Sequence, residues 1–364
     1  MKRKLARNEM KRLSKQLHYD KVAIDELEDF CSVHSYLDRD ALVKKIWEKY
    51  GMFGSFTKSK SLTFFTTKGG VLKTTLAFNF ARLAALSGIK TIVVGLDMQC
   101  DITNCISGDG EDSTQDLETA LEKMERGKDL YSYFNRQAHL DEIVHATDLE
   151  CLYYIPESPN LTLLNDAISL INRREFWLKD KVLNPLYEQF DLVIFDCSPN
   201  WNRLTTNALC CSDLLVSPVE CKVNNFKNID VFKELIEKIK EDLFLRFDVA
   251  FVPTRFSANK KLSVEILKWY QENLVGCLSG KIRESIESEE AVALQKSIVE
   301  YQPSSNVSRD ILYITHQICN TLCGNENPDF RSDLTSNLGG KNQPHHAVVN
   351  AHLQNGENIH GTIS

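Results

Sequence analysis

Nowhere in the sequence do apolar residues continue for the roughly 20 positions that a bilayer-spanning helix needs. The basic start Met1-Lys-Arg-Lys-Leu5 runs into polar residues rather than the apolar core of a secretory signal. Proline (9) and glycine (16) are scarce among 364 residues, which excludes collagen-like and low-complexity chains. Positive charge is not in excess either: 43 Lys and Arg against 50 Asp and Glu leave a formal net charge of −7, so a general basic coat for nucleic acid is excluded. The 11 cysteines include no C-x-x-C pair and no regular spacing, so clustered thiolate sites for zinc or iron–sulfur lack their signature. Reduced, buried thiols and a cytoplasmic setting fit that pattern. What is present, 43% hydrophobic and 26% charged residues, is the composition of an ordinary globular chain, long enough for one large domain and an appendage.

Charge is unevenly spread. Residues 1–60 hold 14 Lys and Arg against 9 Asp and Glu, so the remainder of the chain is acidic. In this first segment apolar residues recur at helical intervals, in Val22, Ile24, Leu27 and Phe30, then in Leu42, Val43, Ile46 and Trp47. The spacing predicts two or three short helices ending near Gly51 and Gly54. The run Lys2, Arg3, Lys4, Arg7, Lys11, Arg12, Lys15 could meet DNA phosphates, although such a run alone is more often a solvated helix face.

From residue 61 the pattern changes to short apolar runs with helices between some of them. Leu62–Phe65, Thr91–Val94, Leu192–Phe195, Leu214–Val216 and Val249–Val252 read as buried strands, and Leu76–Leu86 and Ile229–Ile239 as helices. The expected fold is therefore α/β, a mainly parallel twisted sheet with helices on both faces. Ligands of such sheets lie at the carboxyl ends of the strands.

The first strand leads into Thr66-Thr-Lys-Gly-Gly-Val-Leu-Lys-Thr-Thr75 and then a helix. A strand, a glycine-bearing loop and a helix N-terminus form a phosphate cradle, because unpaired backbone N–H groups and the helix dipole face the anion. Lys68, Gly69, Gly70, Val71, Leu72, Lys73, Thr74 and Thr75 are the candidate nucleotide-binding residues. Lys73 would neutralise the β- and γ-phosphates, and Thr74 would set its hydroxyl on Mg²⁺. The standard G-x-x-x-x-G-K-S/T pattern is not met, since Thr67 and Leu72 stand where its glycines belong.

The loop instead matches K-G-G-x-x-K-S/T and resembles the deviant Walker A form of the ParA/MinD group of P-loop ATPases. That resemblance implies that Lys68 is the additional lysine reaching across a dimer interface to the partner's nucleotide. Two further strand ends agree. Gly95-Leu-Asp-Met-Gln-Cys-Asp-Ile-Thr103 is similar to the family's D-x-D-P-Q-x-x-x-T, which makes Asp97 the carboxylate that orients the attacking water and a Mg²⁺-shell residue, with Gly95 and Met98 departing from the pattern. Phe190-Asp-Leu-Val-Ile-Phe-Asp-Cys-Ser-Pro199 ends a strand in Asp196, which suits a Mg²⁺ shell, usually through water. Leu204-Thr-Thr-Asn-Ala-Leu209 and Asp213-Leu-Leu-Val-Ser-Pro-Val219 resemble the family's following segments. Pro253 and Thr254 match the loop that carries adenine contacts in relatives.

The resemblance covers about residues 61–320, not the ends, and implies a ParA-type ATPase domain at 59–324; charge and periodicity add a helical extension at 1–58 for DNA or partner contact, and composition a polar tail at 325–364. The tail, with seven Asn and four of the nine His, has the composition of a disordered segment. The resemblance implies also an ATP- and Mg²⁺-dependent homodimer that binds DNA without sequence preference, with Arg283 at a family DNA-contact position; Arg255 and Lys281, with Lys260, Lys261 and Lys268, are the sequence's own candidates for a local basic stripe, although each lysine singly is more often a solvated charge. A ParB-type centromere-binding partner would stimulate slow hydrolysis and drive plasmid or chromosome segregation, in the cytoplasm on the nucleoid and without a membrane. Two alternatives stand beside it: a MinD-like membrane-associated positioning ATPase, which needs an amphipathic terminal helix, and a catalytically degenerate DNA-binding regulator.

Overall fold

The computed structural model describes residue 10 and residues 24–35, 58–107, 128–222 and 228–324. Of the N-terminal extension this includes helix α1 (Ile24–Val33). The basic run at 2–15, the helix ends expected near Gly51 and Gly54, and the 325–364 tail lie outside the described residues.

The ATPase portion begins with β1 (Lys60–Phe64), α2 (Lys73–Leu86), β2 (Thr91–Leu96) and α3 (Asp101–Ile106). Helices α4 (Leu130–Phe134) and α5 (Leu140–Ile143) precede β3 (His145–Ala146), β4 (Leu152–Ile155) and α6 (Leu161–Ile168). A π turn at Lys179–Leu183 continues into α7 (Asn184–Leu186), followed by β5 (Leu192–Cys197), α8 (Arg203–Cys211) and β6 (Leu214–Glu220). The chain closes with α9 (Ile229–Asp242), β7 (Asp248–Thr254), α10 (Lys261–Asn273), α11 (Glu287–Ala293), α12 (Ile298–Tyr301) and α13 (Asn306–Cys323).

Among the described residues the strands form one seven-stranded sheet in the order β3-β4-β2-β5-β1-β6-β7. All neighbours are parallel except β3, which pairs antiparallel with β4 at the edge. Strands covered on both faces read as unbroken apolar runs, and β2, β5 and β6 are buried at every position. Alternate residues feed two cores. Ile92, Val94, Val193 and Phe195 pack on one face with α6, α8, α9 and α10. Leu62, Phe64, Leu192 and Ile194 pack on the other with α2 and α13.

All five expected strand runs and both expected helices are found, with longer bounds, except that β1 stops at Phe64 and leaves Phe65 outside the strand. Helix α2 starts three residues early, at Lys73, because the loop turns into the helix directly after left-handed Leu72. Strands β3 and β4 were not expected: they are two and four residues long, and the middle of β4, Tyr153 and Tyr154, is only half buried. Polar residues of β1 are satisfied from α8 and the turn after it: Thr63 Oγ1 donates to the Ala208 carbonyl and Ser61 N–H to Asp213 Oδ2 at 2.8 Å. Asn207, in the sequence segment read as family-like, is fully buried. Its amide donates to the carbonyls of Arg174 and Arg203 and accepts from Leu178 N–H, so it splices α8 to the chain before β5. The charged side chain of Arg82 on α2 lies wholly inside, bidentate to Asp148 at 2.8 and 2.9 Å and to Glu300 at 2.7 and 3.0 Å, tying α2 to the loop before β4 and to α12.

Candidate nucleotide site

The order β2-β5-β1-β6 brings four strand ends side by side. Register sets Asp196 of β5 opposite Phe64 of β1 on one side and Gly95 of β2 on the other. The loop leaving β1 then turns over Asp196 into α2. Within it Gly70 (φ 72°) and Leu72 (φ 70°) both take left-handed backbone. For leucine that conformation costs about 1–2 kcal/mol. The surroundings hold it there: Val71 is buried with its carbonyl accepting from Thr254 Oγ1 at 3.2 Å, and Leu72 packs half-buried against the α2 core. Leu72 thus follows the path a glycine would, and no side chain caps α2 at this position. The N–H groups of the first helical turn have no helical acceptors and face the loop where an anion would bind.

Lys73 is buried, with Nζ 2.7 Å from Asp196 Oδ1 and 3.2 Å from Thr74 Oγ1. Thr74 Oγ1 donates to Asp196 Oδ2 at 2.8 Å. Burial opposes the charge on Lys73, but the Asp196 carboxylate outweighs it and holds the ammonium's pKa above its ordinary value. Asp97, also buried, accepts the Gln99 N–H at 3.1 Å, a turn that fixes the chain leaving β2. Sequence reasoning placed Lys73, Thr74, Asp97 and Asp196 in one site, and the fold gathers them at neighbouring strand ends.

A third acid was missed. Val94 of β2 pairs with Ile155 of β4, so Glu157 arrives two residues later beside the end of β2. It is buried. Its Oε1 accepts Asp97 N–H at 3.1 Å, its Oε2 accepts Thr103 N–H at 3.2 Å, and its own N–H donates to Thr103 Oγ1 at 2.8 Å. Burial, reinforced by Asp196, pushes its carboxyl up to about 8. Without β4 in view, an acid after a short apolar run carried no readable signal.

Among the described residues the site thus sets Asp97 and Asp196, with the Glu157 carboxyl beside them, against Lys73, a balance that suits a divalent cation arriving with phosphates. Among the described residues no group of three His, Cys, Asp or Glu side chains could hold a metal on its own. This is the donor set expected for Mg²⁺, which binds through one or two protein oxygens plus phosphates and water. Thr74 and Asp196 are the residues that would hold it. Cys197, beside Asp196, is fully buried, and burial pushes its thiol up, which leaves it unreactive.

Lys68 stands outside this cluster. It leans over to β6, with its ammonium 2.5 Å from Oε2 of buried Glu220, the last residue of that strand. Arg255 Nε lies 3.2 Å and Lys222 Nζ 3.7 Å from the other Glu220 oxygen. Thr254 is buried beneath the phosphate loop through the Val71 bond already described, and the carbonyl of its neighbour Pro253 accepts from Ile282 N–H. The candidate DNA-contact cations all have neighbours. Arg255 and Lys260 approach Glu284 at 3.5 and 3.6 Å, Arg283 is bidentate to Asp310 at 2.6 and 2.9 Å, and Lys281 lies over the Phe256 ring at 5.3 Å. Lys261 and Lys268 pair along α10 with Glu265 and Glu272. Charge runs in the sequence gave no sign of these acidic partners, several of which come from distant segments.

Comparison with known proteins agrees with this geometry. The AAA domain family model matches residues 59–249. The chain is 30% identical over 195 residues to the chromosome partitioning protein ParA of Myxococcus xanthus, covering 53% of this chain and 63% of that relative's length. It is 28% identical over 273 residues to the virulence plasmid ParA family protein pGP5-D of Chlamydia psittaci, covering 73% of this chain and 97% of that one. Among solved structures, apo McdA of Cyanothece superposes with a TM-score of 0.60 at 18% identity over 72% of this chain and 99% of its own. A plasmid partition protein of Borrelia burgdorferi bound to AMPPNP gives 0.56 at 22% identity over 72% and 98%. At these identities the structures establish the fold, and the family match adds kinship: the chain belongs to the AAA domain family and is an ATPase of the ParA/MinD type.

Proposed function

We propose that the protein is a partition ATPase that dimerises on ATP and Mg²⁺, binds DNA without sequence preference in that state, and releases it when a ParB-type partner stimulates hydrolysis, moving a plasmid or chromosome on the nucleoid. The observation that carries this reading is the pairing of Lys73, Thr74 and Asp196 beneath the loop while Lys68 stands outside on Glu220. Lys73 and the α2 N-terminus can take the β- and γ-phosphates of a nucleotide held by the same subunit. Lys68 is not needed for that. Freed from Glu220, its ammonium is available to a second subunit's nucleotide, so ATP becomes the ligand that completes an interface.

Hydrolysis needs a water in line with the γ-phosphate, and phosphoryl transfer depends on positioning and charge stabilisation more than on covalent chemistry by the protein. Asp97, fixed at the end of β2, is the residue for orienting that water. No arginine is hydrogen-bonded within the Lys73 cluster among the described residues, which supports slow turnover until a partner adjusts the site. DNA phosphates would have to compete with Asp310 for Arg283 and with Glu220 and Glu284 for Arg255. Each subunit alone should therefore bind DNA weakly, and dimerisation, by doubling the patch, should make binding ATP-dependent and steeply salt-sensitive.

Retention of a random-sequence DNA fragment with ATP, with ADP and with no nucleotide, at two salt concentrations, tests the proposal. Binding with ATP only, weakened by salt, is the expected result. Equal binding in all three states would replace it by a nucleotide-independent DNA-binding regulator, and no binding in any state would refute the DNA-partition reading.

A further inference from the structure

Gly95 is the last but one residue of a fully buried strand, and its backbone is not in the left-handed region that favours glycine. What keeps a side chain away is Glu157. A Cβ built on Gly95 would lie 2.1 Å from Glu157 Cγ, 2.6 Å from Cδ and 2.9 Å from Oε1. The two residues share one volume, and in this chain Glu157 fills it. From there its carboxylate reaches both ends of the segment that leaves β2. One oxygen takes the N–H of Asp97, the other the N–H of Thr103, and the Thr103 hydroxyl closes the ring by accepting Glu157 N–H.

We infer that Glu157 is a positioning residue of the ATPase site, a carboxylate delivered by β4 into the space that Gly95 leaves open, which fixes residues 97–103 and so sets where the Asp97 carboxyl points. Glu157 makes no hydrogen bond to the phosphate loop. Asp97 and Thr103 are six residues apart, and the clamp spans the turn at Gln99 and Cys100 between them; Cys100 itself is left-handed, at φ 58°. Inside the turn the Gln99 N–H is held by Asp97 itself, so the clamp's contribution is at the two ends, on the N–H groups of Asp97 and Thr103. Loss of Glu157 should therefore act on turnover and leave nucleotide affinity nearly untouched.

Shared volume supplies the decisive experiment. An aspartate at position 95 carries its carboxyl carbon about 1.5 Å beyond Cβ, inside the volume now held by the Glu157 carboxylate. A carboxylate can thus be supplied from either position, but not from both. The role rests on the ATPase reading, so ATP turnover of the unaltered chain is measured first; absence of turnover there would count against that reading itself.

With turnover established, Glu157→Ala should lower kcat at least tenfold with the KM for ATP within threefold. Glu157→Gln, which keeps the shape and one acceptor oxygen, should stay within fivefold. Gly95→Asp alone should lose at least tenfold through the clash. Gly95→Asp with Glu157→Ala should recover to within about threefold of the unaltered chain, since the transferred carboxylate then occupies an empty space. Thermal unfolding of each variant identifies any that fails to fold, and for these the Glu157→Gln and double variants carry the test. An unchanged kcat in Glu157→Ala, or a double variant no better than the worse single one, would overturn the inference.

Discussion

Replacing Arg82 by methionine removes a buried guanidinium while keeping an aliphatic stem of similar reach, and the consequences can be worked from its partners. Four charge-assisted hydrogen bonds disappear, two to Asp148 and two to Glu300. The two acids fare differently. The Asp148 side chain is 54% exposed and returns to water, so its half of the network contributes little. The Glu300 side chain is 16% exposed and stays inside, with the Ser297 N–H (2.9 Å) and hydroxyl (2.7 Å) as remaining donors. Stranding one member of a buried ion pair costs about 3–5 kcal/mol, and the Ser297 bonds bring the expected loss to the lower end, about 3 kcal/mol.

The pH dependence identifies the cause. Burial works against the charge of Glu300, yet Arg82 more than compensates and holds its carboxyl below the ordinary range. In the parent that contribution is complete above the ordinary glutamate pKa and is lost as pH falls through the lowered one. In Arg82→Met the unpaired, buried Glu300 shifts upward instead, so the variant loses stability as pH rises. Urea unfolding followed by tryptophan fluorescence should therefore show a gap of about 3 kcal/mol at neutral pH that shrinks towards pH ~4.5, where a glutamate is half protonated. Adding Glu300→Leu should recover at least half of the loss. A gap below about 1 kcal/mol, or one that does not change with pH, would refute the assignment of the cost to a stranded Glu300.

Lys73→Ala should lower ATP hydrolysis by about 10²- to 10³-fold, the usual cost of removing a charge-stabilising donor, as read by phosphate release. Asp97→Ala should retain ATP-dependent dimerisation in sedimentation while phosphate release falls to background; a monomeric variant would contradict the role of Asp97 in hydrolysis alone. Glu220→Gln, which loosens Lys68, should lower the protein concentration needed for the ATP dimer by about threefold, a modest figure because the lysine is partly exposed. Leu72→Val forces a β-branched side chain into left-handed backbone and should destabilise the chain by about 2 kcal/mol in urea unfolding, whereas Leu72→Gly trades relief of that strain against lost packing and should stay within about 1 kcal/mol.

Much of the candidate phosphate-binding loop was legible in the sequence as local structure because its parts are contiguous. A strand, the Lys68–Thr75 loop and a helix start are contiguous, and their order alone dictates where backbone N–H groups and the lysine will lie. The strands of the central sheet were legible for a related reason: a strand covered on both faces must be largely apolar, and β2, β5 and β6 are, apart from Thr91, Asp196, Ser217 and Glu220. Asp97 and Asp196 could be read because each directly follows such a run. The short strand β4 could not, since half of it faces a less buried edge of the sheet and its four residues set up no periodicity.

What the tertiary structure decided is the company each charge keeps. Glu157 becomes a site residue only because β4 pairs in register with β2 and Gly95 leaves it room. Glu220 meets Lys68 because β6 lies beside β1, and Arg283 meets Asp310 across 27 positions of chain. The sequence by itself determined five of the seven strands described, the loop and the chemistry of its lysine. Which carboxylates face that loop, and which cations are already engaged, depends on pairing between distant segments, where electrostatics acts over a few ångströms of space and is indifferent to distance along the chain.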